Sequence, residues 1–223
     1  MSVPILTIDG PSGSGKGTIA SEVAELLGWH ILDSGALYRL AGLSLEKNNI
    51  NQDDIESIVE NTLAMKIEFS NGKVYLSGED VTLEIRTEAA GNAASRVAAI
   101  PQVRTALLQW QHDYVKAPGL VADGRDMGTV IFPQADVKIF LDASAEERAK
   151  RRYKQLIGKG LSANLADLVS QIQERDDRDR NRSVAPLCAA DDAITIDSSE
   201  LSIEDVKKQV MDIVKQQLPE LDF

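Results

Sequence analysis

Nine residues near the N-terminus, Gly10-Pro11-Ser12-Gly13-Ser14-Gly15-Lys16-Gly17-Thr18, restrict the fold more than any other stretch of the 223-residue chain. Before them, Val3–Asp9 reads as a buried strand; Lys16–Leu27 has the pattern of a helix. Glycines at 10, 13 and 15 let the backbone turn its N–H groups inward around phosphate oxygens, and the helix adds its N-terminal dipole. Lys16 can then reach the outer phosphates as a point charge, and the Thr18 hydroxyl can serve a divalent cation. The common form of this loop has Ser or Thr directly after the lysine; here Gly17 intervenes. A flexible Gly/Ser turn is the plainer alternative, and the strand, lysine and helix in sequence weigh against it.

Four further segments share the strand signature: Trp29–Asp33, Leu120–Asp123, Val137–Leu141 and Ala193–Asp197. An aspartate closes or directly follows each of the five. Helical patterns at Ala36–Lys47, Pro101–Lys116, Ala145–Ile157, Asn164–Arg182 and Ile203–Gln217 fill the intervals. This alternation predicts an α/β fold, a five-stranded parallel sheet with helices on both faces. Ligands of such sheets bind outside the carboxyl ends of the strands, where these aspartates would sit. One stretch breaks the pattern. Met65–Ser77 reads MKIEFSNGKVYLS, and Asn71-Gly72 suits a two-residue type I′ turn. Folding about it sets Phe69 opposite Val74 and Ile67 opposite Leu76, with Glu68 opposite Tyr75 on the other face. With a third strand near Asp80–Leu83, residues 61–87 make a small antiparallel insertion.

Composition limits the partners. A net charge of −11 argues against a bulk binder of nucleic acid polymers or acidic membranes. No run approaches the ~20 apolar residues of a bilayer span, and Met1–Ile8 lacks the basic flank of a signal peptide. The single cysteine, Cys188, cannot form an intrachain disulfide, which favours a reducing, cytoplasmic setting. Positive charge is unevenly spread: seven of the twelve arginines lie between Arg148 and Arg182. Such a stretch is either a solvated, salt-bridged helix face or a place that holds small anions.

Helical geometry bears on that choice. Leu165, Leu168, Val169 and Ile172 form an apolar stripe that must face a core. Arg175 and Asp179 continue the stripe, Arg182 lies near its edge and Arg178 falls off it. Charges on the buried side of a helix need partners or ligands. After the third strand, Asp123-Gly124-Arg125-Asp126 offers an arginine that suits a phosphate and a carboxylate that can accept a hydrogen bond from an amine. Asp123 stands where an acidic residue can orient metal-bound water; an Asp-Gly turn with a surface ion pair is the alternative. Ser34 and Arg39, just over one helical turn apart, serve equally as a phosphate-facing pair or as an ordinary helix cap with an exposed arginine. His30 and His112 lack companions at metal-ligand spacing.

The Gly17 form of the loop is similar to that of nucleoside monophosphate kinases. Together with LDSGALYR (Leu32–Arg39), ADGRDMGTVIFP (Ala122–Pro133), KIFLDAS (Lys138–Ser144) and ERDDRDRNR (Glu174–Arg182), the chain resembles bacterial cytidylate kinases over its whole length. The resemblance implies a P-loop kinase that moves the γ-phosphoryl group of ATP, with Mg²⁺, onto CMP or dCMP. It implies ATP contacts from Gly10 to Thr18 and catalytic charges at Lys16, Arg39 and Arg125. Acceptor contacts would come from Ser34, Arg39, Ser95, Arg104, Arg125, Asp126, Arg175, Asp179 and Arg182. Ser95 and Arg104 rest on the resemblance alone. Lid arginines are expected among Arg148, Arg151 and Arg152, and metal contacts at Thr18 and, through water, Asp123. The expected organisation is a core of residues 1–33, 91–150 and 183–223. An acceptor region would span 34–90, with a lid at about 151–165 followed by a helix at 164–182, in a monomer. A same-fold kinase acting on UMP, AMP or another small acceptor is the alternative. A GTP-dependent switch would need an Asn-Lys-x-Asp segment, which the chain lacks.

Overall fold

The computed structural model describes residues 3–70, 72–158, 160 and 162–220. Asn71 of the expected turn and Lys159 of the expected lid lie outside them. In chain order the elements are β1 (Ile5–Asp9), α1 (Lys16–Leu27), β2 (His30–Asp33), α2 (Ser34–Lys47), α3 (Ile55–Ala64), β3 (Ile67–Ser70), β4 (Lys73–Leu76) and β5 (Glu79–Asp80). There follow α4 (Glu88–Val97), α5 (Pro101–His112), β6 (Leu120–Gly124), β7 (Val137–Asp142), α6 (Ala145–Gly158), α7 (Leu165–Asn181), β8 (Ile194–Asp197) and α8 (Ile203–Gln217). The chain forms two compact units, one of residues 1–33 and 114–223 and the other Ser34–Asp113.

The first unit holds the five-stranded sheet, all parallel, in the order β2-β6-β1-β7-β8. Alternation along the strands divides its central residues between two faces. Leu6, Ile8, Val121, Ile139 and Leu141 pack with Ile19 and Val23 of α1 and Val206, Val210 and Val214 of α8. Thr7, Asp9 and Lys138 have the opposite parity, and a π-helical turn at Met127–Ile131 lies against them. A Cβ on Gly128 would sit 3.0 Å from Thr7 Oγ1 and 3.2 Å from the Lys138 stem. The sheet is short at its ends: β2 and β8 have four residues each, and Ile31 and Ile194 are both 37% exposed.

The second unit packs α2 against α4, α3 and α5 around Leu37, Leu45, Ile58, Val97, Val103 and Leu107. Its antiparallel sheet, β3-β4-β5, has the expected register: Phe69 opposite Val74, Ile67 opposite Leu76, Glu68 opposite Tyr75. The sheet is narrower than residues 61–87. Residues 61–64 finish α3, which Asp54 caps by accepting from Ser57 N at 3.1 Å, and Glu84–Arg86 is a 3-10 turn. The stretch before Arg104 is two helices, divided at Ala98–Ile100, with Pro101 opening the second where its missing N–H costs no bond.

Candidate active site

The phosphate loop joins β1 to α1 in the first unit. Gly10 (φ 155°) passes so close to β7 that a Cβ would fall 2.1 Å from the Leu141 carbonyl oxygen, and Gly15 (φ 98°) occupies the left-handed region at the helix N-cap. Both positions exclude side chains. Lys16 is buried and donates to Pro11 O at 3.2 Å. Burial, then the Arg125 guanidinium, pushes its ammonium well below the usual lysine range. Asp123, at the carboxyl end of β6, is shifted the opposite way: burial raises it, the Asp33 carboxylate raises it further, and Lys16 opposes. A Cβ on Gly17 would lie 3.6 Å from Asp123 Oδ2, so the residue that departs from the common loop pattern is the one facing this carboxylate.

Helix α7 supplies the rest of this cluster. Arg125 Nε donates to Asp179 Oδ2 at 3.0 Å, and Arg182 Nη2 donates to Asp126 Oδ1 at 3.3 Å. Burial alone would raise Asp179, yet the charges of Arg125, Arg175 and Arg182 outweigh it and hold the carboxyl below its ordinary range. On this helix Asp179 is buried, Arg175 partly so and Arg178 exposed, as expected, but of the apolar stripe only Leu168 is buried, Val169 and Ile172 are partly buried, and Leu165 is 39% exposed. Asp176 also turns inward and pairs with Arg148. Arg148 and Arg151 stand on α6, with donors on backbone oxygens of the phosphate loop, Ser12 O and Ser14 O, both at 3.1 Å. Arg152 is partly buried on the same helix.

The second unit carries the remaining expected residues separately. Ser34 Oγ donates to Gln111 Oε1 at 2.9 Å. Arg39 Nη1 donates to Ile85 O and Thr87 O at 2.8 and 2.9 Å, just before α4. Arg104 is buried with its guanidinium 5.6 Å from the Tyr38 ring centroid, and Ser95 is partly buried on α4.

A family model described as cytidylate kinase matches residues 6–216. The cytidylate kinase of Aeromonas salmonicida is 54% identical over 219 residues, covering 96% of this chain and 95% of that one. Those of Photobacterium profundum and Edwardsiella ictaluri are 54% and 53% identical, with 96% and 97% of this chain covered and 96% and 98% of theirs. The chain belongs to the cytidylate kinase family.

Membership in a kinase family raises the question of a metal ion. Among the described residues no three His, Cys, Asp or Glu side chains gather as a metal cage. Mg²⁺ in phosphoryl-transfer sites needs none, since it is held by one or two carboxylates plus substrate phosphates and water. Asp123 fits that demand: its Oδ1 is buried without a hydrogen-bond partner among the described residues, while Thr18 is exposed at the start of α1.

Asp9, Asp176, Ser198 and Gln111 hold the phosphate loop or the expected site residues without being among those expected. Asp9 accepts from Met127 N and Gly128 N, both at 2.8 Å, and so anchors the turn that follows Arg125 and Asp126. Its position as the aspartate closing β1 was a usable signal. Asp176 lies four residues beyond Ile172, on the same helical face, and could have been counted into the stripe. Ser198 and Gln111 carry no local signal.

Proposed function

We propose that the protein transfers the γ-phosphoryl group of ATP to CMP, with dCMP as a second acceptor, giving ADP and CDP or dCDP. The observation that carries this reading is the buried Lys16 beside Asp123, with Arg125, Asp126, Arg175, Asp179 and Arg182 gathered next to the phosphate loop in one unit. The acceptor's phosphate has a second pKa of roughly 6, so it arrives as a dianion and requires no general base. Catalysis then consists of alignment, charge screening and exclusion of water. Lys16 and Arg125 screen the transferring group, and the N–H groups of residues 10–18 hold the donor phosphates. Thr18 and Asp123, the latter through water, would hold Mg²⁺, which would supply charge neutralisation on the phosphate oxygens. Asp126 accepts the cytosine amine; Arg175 and Asp179 hold the sugar, and Arg182 the base or phosphate. For Ser34, Arg39, Ser95 and Arg104 the acceptor role rests on the family resemblance. One cysteine in 223 residues is in keeping with a cytoplasmic setting.

A coupled assay with ATP and a panel of nucleoside monophosphates tests the proposal. CMP is expected to exceed UMP and AMP in kcat/KM by at least about tenfold, the equivalent of about 1.4 kcal/mol. Preference for another acceptor, or GTP hydrolysis that outruns ATP turnover without acceptor, would overturn it.

A further inference from the structure

The inner side of a phosphate loop touches the ligand; its outer side is held here by three side-chain donors. Ser12 O accepts from Arg148 Nη1 at 3.1 Å. Two residues on, Ser14 O accepts from Arg151 Nη1 and from Ser198 Oγ, each at 3.1 Å. A trans peptide unit is planar, with its C=O and N–H pointing in opposite directions. Drawing the Ser12 and Ser14 carbonyls outward therefore turns the N–H groups of Gly13 and Gly15 inward, as an anion nest requires.

Arg148 is itself fixed. It is only 3% exposed, and its Nε donates to Ala143 O at 2.9 Å at the end of β7. Both terminal nitrogens donate to the two oxygens of Asp176, Nη1 at 3.0 Å. Its aliphatic stem runs under the loop, since a Cβ on Gly13 would lie 3.4–3.9 Å from Cβ, Cγ and Cδ of Arg148. Four hydrogen bonds thus tie one guanidinium to the sheet, to α7 and to the phosphate loop. Asp176 stands in α7 beside Arg175 and three residues before Asp179.

We propose that Arg148 is a positioning residue for the donor-phosphate nest, acting through the Ser12 carbonyl under the lock of Asp176, and that it is not itself a ligand of the triphosphate. The inference rests on ATP being the donor, which wild-type binding reports separately.

Lysine and methionine at position 148 separate the two roles. Lysine keeps the positive charge a triphosphate ligand needs, but it lacks the planar fork that reaches Ser12, Ala143 and Asp176 together. ATP and CMP binding to the isolated protein are measured by titration calorimetry, each without the other. Arg148→Lys and Arg148→Met are both expected to weaken ATP at least about tenfold, the scale of a lost charge-assisted hydrogen bond. CMP binding should change less than about threefold. Near-wild-type ATP affinity in Arg148→Lys, with loss only in Arg148→Met, would assign a direct charge contact and overturn the proposal. Equal loss of ATP and CMP binding in both variants would do the same, marking a merely structural residue. Asp176→Asn is a milder change to the same lock, and it carries the test should both Arg148 variants fail to fold. Selective weakening of ATP in it supports the proposal; unchanged ATP affinity overturns it.

Discussion

Asp126 and Asp9 are both buried carboxylates, yet they do different things. Cytosine carries an amine at C4 that can donate to Asp126, while uracil presents a carbonyl there. A good base contact discriminates by about 1–3 kcal/mol. Asp126→Asn keeps the shape and offers an amide to uracil, so the CMP/UMP ratio of kcat/KM should narrow, mainly through loss of CMP activity. Parallel kinetics with both acceptors decide it, and an unchanged ratio would remove Asp126 as base reader. Asp9 is a matter of stability. Burial, set against its bonds from Gly128 and Met127, pushes its carboxyl from 3.8 up to about 6. A raised carboxyl favours the folded state fully below about pH 4, and that contribution is lost as pH climbs through about 6. Two pKa units correspond to on the order of 3 kcal/mol. Urea unfolding from pH 4 to 7 should show wild type losing stability relative to Asp9→Asn, levelling off above about pH 6. Residues whose role follows from helical periodicity or from closing a strand were legible in the sequence. Gln111 was not, because its pairing with Ser34 spans 77 positions and leaves no local trace.

Among the elements, α7 offers the sharpest contrast, because charged residues on one helix face different ways. Arg175→Ala and Asp179→Ala should lower CMP phosphorylation much more than they weaken ATP binding without acceptor. Arg178→Ala, on the exposed side, should have the smaller effect; equal small losses at all three would return the helix to a solvated salt-bridged face. The α2–α4 contact is limited by size. A Cβ on Gly42 would lie 2.8 Å from Ala93 Cβ, so Gly42→Ala should destabilise by about 1–3 kcal/mol despite its better helix propensity. Adding Ala93→Gly should restore part of the loss in thermal unfolding. The hairpin was readable to the register because its turn and its alternation agree. Helix α3 was legible as well, since Asp54 caps a stretch with Ile55, Ile58, Val59 and Leu63 at helical spacing. The π-helical turn at Met127–Ile131 exists because Asp9 and the Thr7–Lys138 floor hold it, and nothing within its own five residues requires that shape.

At the scale of the molecule, strand–helix alternation revealed the parallel sheet and all five of its strands. It could not give the order β2-β6-β1-β7-β8, since Ser34–Asp113 intervenes between two adjacent strands. Pairing over that distance is decided by packing. The order leaves β2 and β8 as the outermost strands, each four residues long and each with a partly exposed isoleucine. Unpaired strand edges with exposed apolar side chains are templates for contact between copies, which proteins counter by keeping the edge short and by charge. Here the counterweight is acidic and global: a net charge of −11 and a pI of about 4.7. Acidifying toward pH 4.7 should therefore raise light scattering in concentrated solution, and Ile31→Lys with Ile194→Lys should suppress the rise measured at that pH. Shelf life in mildly acidic buffers would then depend on one apolar side chain at each edge of the sheet, Ile31 and Ile194.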